Sequence, residues 1–400
     1  MIGQLCTCDV DNFGDILYPV IFQKMAGYHG VAAPVVPLGF LEGAAPCAGG
    51  YDIHGINEAL QPGAQNISCM VIGGGDILRT DADNLGQHYC SISRKDAPRN
   101  FWSRLKGKWA GQKPGQEFAE RFMGYSPIAP FILDKAGHPN VGAVAYVSCG
   151  VPFRLPPEKS DALRAAFESA DFIYLRDASS RDKLKTIGVT RDIEVAPDLI
   201  VTLSDFFDKD QERLKGLELL AGYGVDPSKE IICFQSIHQR KSHVGEMLRQ
   251  LLALKKKTGA QIVLLPIGYC HGDDVFLEQL AKKSGGALIY AGIHSIYGII
   301  SVIAASRLFI GTSLHGNITA FSFGIPHLFG PIGVDKVAGF LEVAGLDADF
   351  KLASWSDLEN KHAMIRRLPP DFFALKAGAA KQKVHGTFGK LAKILKDSNR

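Results

Sequence analysis

Residues 308–326, Leu-Phe-Ile-Gly-Thr-Ser-Leu-His-Gly-Asn-Ile-Thr-Ala-Phe-Ser-Phe-Gly-Ile-Pro, leave this chain few folds to choose from. Leu308 to Ile310 form a short apolar run bounded by Gly311, the pattern of a buried parallel strand. Thr312 and Ser313 are good N-cap residues, and the helix they open runs until Gly324 and Pro326 stop it. His315 and Gly316 therefore stand where a strand hands over to a helix. Free backbone N–H groups and the helix dipole favour an anion at such a place.

The same strand–turn–helix unit recurs along the chain. Residues 2–6 read as a first strand, followed by a polar turn over 9–15. A helix comes next, with Leu17, Val20 and Ile21 at i, i+3, i+4 and an end at Gly27. Residues 69–72 are a second strand, running into Gly73, Gly74, Gly75 and Asp76. After 141–149, a helix over 156–170, a strand at 172–175 and a helix over 180–186 continue the alternation. It restarts at 231–235, with strands at 261–265 and 287–290 and helices over 244–257, 274–283 and 297–305. Such βα alternation predicts α/β architecture with doubly wound parallel sheets. The charged, strandless stretch 203–229 marks the boundary between two Rossmann-like domains that face each other across a cleft. The expected division is 1–215, carrying an insert at 79–139, and 216–370. The helical C-terminus from 371 to 400 is long enough to cross back onto the first domain.

Composition narrows the function classes. Four hundred residues, 46% hydrophobic, suffice for two cores. A formal net charge of +3 with dispersed basic residues speaks against a nucleic-acid partner. The eight cysteines include no CxxC pair, so buried thiols in a reducing compartment are expected. The N-terminus shows no signal-peptide pattern, and the apolar run near 296–305 is too short to span a bilayer. A soluble, cytoplasmic protein is the expectation.

Strand carboxyl ends are where open α/β sheets bind ligands. In the first half these hold Asn12, Gly14 and Asp15, either addressing a sugar hydroxyl or serving as a turn with Asp15 as helix cap. The Gly73–Gly75 run lets the backbone approach either a ligand or a neighbouring helix, and it is not a dinucleotide fingerprint. Arg176 and Asp177 either bind ligand or pair to orient their loop. In the second half His238, Arg240 and Lys241 are available for an anion. His271 beside Asp273 and Asp274 has the residue types of a metal cluster, but helix capping by the aspartates is the stronger reading, and no metal or cofactor is assigned. The insert 79–139 reads either as a lid or acceptor-recognition element or as an elaboration of this lineage.

Taken in order, Asn12-Phe-Gly-Asp15, Gly73–Gly75, Arg176-Asp177 with Ser180, Pro197-Asp198, Ser313-Leu-His-Gly316, Gly324-Ile-Pro326 and Lys336 resemble the polysaccharide pyruvyl transferases. The resemblance covers about residues 1 to 345 apart from the insert. It implies an arrangement like that of B-type glycosyltransferases. The activity it implies is pyruvyl transfer from phosphoenolpyruvate to two hydroxyls of a sugar, with a cyclic ketal and phosphate as products. The partners would be phosphoenolpyruvate and a saccharide of an exopolysaccharide or its lipid-linked precursor, the latter with peripheral membrane association. His315 would hold the phosphate or pass a proton, and Asp15 or Asp76 would act as base or touch the acceptor. Ser313, Leu314, Gly316, Arg240, Lys241 and Lys336 would form the donor site; Asn12, Gly14, Gly74, Gly75 and Asp76 would form the acceptor site.

One position departs from the family. Members usually carry arginine before the Leu-His pair, and here Ser313 stands there. Serine cannot replace bidentate anion recognition. Arg240, Lys241 or Lys336 supplies the cation instead, or the donor differs, or the site has decayed. The competing readings are a nucleotide-sugar glycosyltransferase of the same fold and a non-catalytic sugar- or phosphate-binding relative.

Overall fold

The computed structural model describes residues 1–44, 51–61, 63–80, 130–133, 135–151, 157–237, 241–331 and 335–398. Most of the insert at 79–139 lies outside the described residues.

Two separate sheets organise the chain. The first contains β1 (Ile2–Leu5), β2 (Val35–Gly39), β3 (Gly43–Ala44), β4 (Asp52–Gly55), β5 (Ile67–Gly75), β6 (Val141–Cys149), β7 (Phe172–Leu175) and β8 (Glu194–Val195). Their order is β3-β4-β2-β1-β5-β6-β7-β8, and every pair is parallel except β3 with β4. The second contains β9 (Ile231–Gln235), β10 (Gln261–Leu264), β11 (Ile289–Tyr290), β12 (Leu308–Gly311) and β13 (His327–Phe329), ordered β11-β10-β9-β12-β13 and wholly parallel. All five residues of β9 and all four of β12 are buried, which is why these strands read as apolar runs rather than as alternating ones.

In each sheet the chain winds outward in one direction and then returns to the other side. The reversal falls between β1 and β5 in the first sheet and between β9 and β12 in the second. At such switch points the loops diverge and leave a crevice at the strand carboxyl ends. Two facing crevices are the architecture of the B-type glycosyltransferases.

The halves touch at these loops. Phe13 N donates to Ile267 O at 3.2 Å, Cys270 N donates to Asp11 O at 2.9 Å, and His294 Nε2 meets both Asp11 carboxylate oxygens at 2.9 Å. Below them, the buried 3-10 turn Leu199–Asp205 packs on the helix Leu314–Ser322, with Ser204 N donating to Ser322 Oγ at 2.9 Å. The last helix, Phe372–Asp397, begins in the second half, where Phe373 lies 5.1 Å from His327 between ring centroids. It ends against the first half, with Phe388 5.4 Å from Phe22 and Lys390 paired to Glu194 at 2.6 Å. Among the described residues no helix is long and apolar enough to cross a membrane. The cysteines described are all free; five are buried and Cys270 is half-buried.

Candidate active site

A cavity of about 590 Å³ opens between the two switch points. From the first half it is lined by Thr7, Asn12, Asp15, Gly75, Asp76 and Arg176; from the second by Gln235, His271, Thr312 to His315 and Lys336.

The second-half wall is fixed by a hydrogen-bonded scaffold. Ser313 caps the helix Leu314–Ser322, its side chain accepting from Gly316 N at 3.2 Å. Ser313 N donates to Gln235 Oε1 at 2.8 Å, and Gln235 Nε2 donates to Asp273 Oδ2 at 2.7 Å. That same carboxylate oxygen accepts from Gly268 N at 2.8 Å. Asp273 therefore ties two loops together. It does not cap its helix, because the cap position is Gly272 in the left-handed region. Burial raises the Asp273 carboxyl above its usual value against the opposing hydrogen bonds. Among the described residues no group of His, Cys, Asp and Glu could hold a metal ion.

The charges come from both walls. Arg176, 5% exposed, contacts Asp76 directly and reaches Asp198 at 3.5 Å. Asp198, 1% exposed, lies 3.7 Å from His315 Nε2, and Lys336 Nζ stands 4.0 Å from Asp76. The result is a chain of alternating sign: Lys336, Asp76, Arg176, Asp198, His315. Burial alone would raise the Asp198 carboxyl. His315, Arg176 and the Ile200 N–H outweigh it and hold the group below the usual aspartate range. Asp76 and Asp198 likewise overcome the effect of burial on Arg176 and raise its guanidinium further.

Asp15 is set apart from that chain. It faces the cavity, enclosed on its other sides, and burial raises its carboxyl above the ordinary value despite His315, Thr7, His271 and Lys336. Of the three carboxylates lining the pocket, Asp76 is salt-bridged, Asp273 is held by Gln235 and Gly268, and Asp15 is left with a carboxyl raised by burial.

Eight expected site residues thus meet in one cavity: Asn12, Asp15, Gly75, Asp76, Ser313, Leu314, His315 and Lys336. Three glycines lie behind it. A Cβ on Gly14 would collide with the His315 ring; one on Gly74, at φ +90°, would meet the Tyr18 ring at 2.8 Å. One on Gly316 would sit 2.7 Å from Phe309, and the Gly316 N–H is already taken by Ser313. These positions permit close packing, and none of the three lines the cavity. Arg240 lies outside the described residues, and Lys241 is described only as the first residue of the helix Lys241–Thr258.

The cap of the helix Phe13–Tyr28 is Asn12, which accepts from Gly14 N at 3.4 Å; Asp15 is left for the cavity. Nor do Arg176 and Asp177 pair. Asp177 caps the helix Ala178–Thr186, accepting from Ser180 N at 2.7 Å, while Arg176 turns to Asp76 and Asp198. Asp198 and Gln235 carry structural importance that the sequence reading did not assign. A polar residue just before the wholly apolar run 199–201 was the available signal for Asp198.

The family model described as polysaccharide pyruvyl transferase matches residues 12–329. No curated protein matches the chain in sequence. Among solved structures, the trehalose-6-phosphate phosphatase N-terminal domain of Candida albicans is similar at TM-score 0.50 and 10% identity, covering 99% of this chain and 98% of that one. The S. aureus MnaA–UDP co-structure gives TM-score 0.47 at 12% identity, with 92% and 88% covered. The UDP-GlcNAc 2-epimerase of Neisseria meningitidis gives 0.42 at 11%, with 77% and 70% covered. At these identities the likeness is one of fold alone.

Proposed function

The chain belongs to the polysaccharide pyruvyl transferase family, and from that premise we propose that it moves a pyruvyl group from phosphoenolpyruvate to a saccharide, free or lipid-linked, as a cyclic ketal. The observation that carries this reading is the meeting in one cavity of His315, at a helix N-terminus, with Asp15, Lys336, Asp76 and Arg176, while buried Asp198 contacts both Arg176 and His315. In this reading residues 216–370 hold the donor and 1–215 the acceptor, and a donor drawn from central metabolism places the protein in the cytoplasm.

The donor has a carboxylate and a phosphate. Lys336 and the N-terminus of the helix Leu314–Ser322 receive these charges, in a preorganised setting that needs no rearrangement during reaction. Arg176, already flanked by two carboxylates, keeps Asp76 and Asp198 in place. Asp198 in turn orients His315. In this reading Lys336 supplies the cation that Ser313 lacks.

His315 gives a proton to the donor's methylene carbon, and C2 becomes electrophilic as that carbon turns into a methyl group. One sugar hydroxyl adds to C2 and its proton passes to Asp15, whose raised basicity suits the task. The second hydroxyl adds as the bond from C2 to the phosphate oxygen breaks, and its proton restores His315. The departing phosphate takes the proton held by Asp15. Both enzyme groups end as they began.

Following phosphate release from phosphoenolpyruvate over a panel of sugars tests the proposal. Sugar-dependent release is expected. Absence of release, together with hydrolysis or transfer from a nucleotide sugar, would replace it with a glycosyltransferase.

A further inference from the structure

On the opposite edge of the second sheet lies another cavity, of about 690 Å³. It sits at the amino ends of β9 and β12, and the candidate active site is at their carboxyl ends. Its size falls in the range of small-molecule sites. Five cationic side chains from separate parts of the chain converge on it: Lys209 and Arg213 from the helix Lys209–Ala221, Lys229 before β9, Arg307 before β12, and Arg366 at the end of the helix Leu358–Ile365. Glu230 is the one carboxylate in the lining, and it meets Arg307 only at 3.8 Å.

Like charges gathered in this way repel each other. Burial and then Arg307 push the Lys209 ammonium below its usual value, against Asp210. His362, on the helix Leu358–Ile365, also lines the cavity, with its Nδ1 enclosed by protein.

We propose that this cavity binds a compact polyanion of the di- or triphosphate class, with the five cations around its charges. The two segments through which the chain passes between its sheets both line the cavity: the helix Lys209–Ala221 and the 365–373 stretch that leads into the last helix. A bound polyanion joins them and stiffens the connection between the halves. This inference does not depend on the reaction proposed above.

Titration calorimetry of the full chain with inorganic tripolyphosphate tests it. Saturable binding is expected, and the Arg213→Ser/Arg307→Ser variant should bind about tenfold more weakly or worse. Lys336→Ser, at the other site, should bind as the parent does. Should the double variant fail to fold, acetylation mapping of the unaltered protein gives the same answer: tripolyphosphate should shield Lys209 and Lys229 and leave Lys336 reactive. No saturable binding, equal binding by the double variant, or shielding of Lys336 alone would overturn the proposal.

Discussion

Replacing Gly14 by alanine isolates the contact on which the candidate site turns. The Cβ of an alanine would stand 2.6 Å from His315 Cε1 and closer still to Nδ1 and Cγ. No side-chain tip is available to yield; the ring itself must move, by about 1.5–2 Å at Nδ1, to regain ordinary contact distance. Misplacing a reacting group by about 1 Å can cost on the order of 10²-fold in rate, equivalent to roughly 2.7 kcal/mol of barrier. The backbone does not object, because Gly14 lies in the first turn of a helix and alanine is the better helix former by up to about 1 kcal/mol. Gly14→Ala should therefore lower phosphate release from phosphoenolpyruvate about 10²-fold and, since helix propensity offsets only part of the overpacking, destabilise by about 1–2 kcal/mol in urea denaturation. Gly14→Ala combined with His315→Ala should be no slower than His315→Ala alone, since both act on one ring. A Gly14→Ala protein working at near-parental rate would refute the placement of His315 at the reacting centre.

Three further outcomes follow from buried groups and close contacts. Asp15 has a folded-state carboxyl value above its unfolded one, so stability declines as pH rises from about 3.9 through that folded value. Asp15→Asn should be more stable than the parent at pH 7, with the gain vanishing in acid, and inactive; equal denaturation midpoints at both pH values would contradict this. His327, fully buried, is pushed down to about 4 by burial, against its bond to Ile325 O. The unfolded chain then binds a proton that the fold excludes, and stability should fall by on the order of 3 kcal/mol between pH 6.5 and 4. His327→Leu should flatten that slope, and an unaltered slope would count against the assignment. At Gly216, in the helix Lys209–Ala221, a Cβ would stand 2.6 Å from the Ser301 carbonyl carbon and 3.0 Å from Ala305 Cβ. Gly216→Ala should destabilise by about 1–3 kcal/mol in urea, and a rise in stability would show that these two helices are not so closely packed.

Much of the fold was legible because parallel strands buried on both faces leave apolar runs, and β5, β6, β9, β10 and β12 have them. The strands β2 and β4 were not read. Pro37 and Gly39 interrupt the apolar pattern of β2 and argue against a sheet interior. The structure accommodates Pro37 because β4 joins β2 only at Leu38 and Gly39, beyond the proline. The site was legible as a set of strand-end loops, since switch points collect such loops wherever the sheet reverses. The partnerships inside it were not. Arg176 and Asp177 are adjacent in sequence yet point to different tasks, and Arg176 finds Asp76 a hundred residues earlier. The glycines pack for a related reason: Gly14 and Gly74 lie in site loops, and the space they leave is filled by His315 and Tyr18.

The central claim, pyruvyl transfer with His315 as proton donor, is met most directly by running the reaction in heavy water and examining the sugar product by mass spectrometry. The account predicts a ketal-linked pyruvyl group whose methyl carries a single solvent deuterium, and loss of that product in His315→Ala. A protein that forms no such ketal with any acceptor, or a His315→Ala variant that forms it at parental rate, would contradict it.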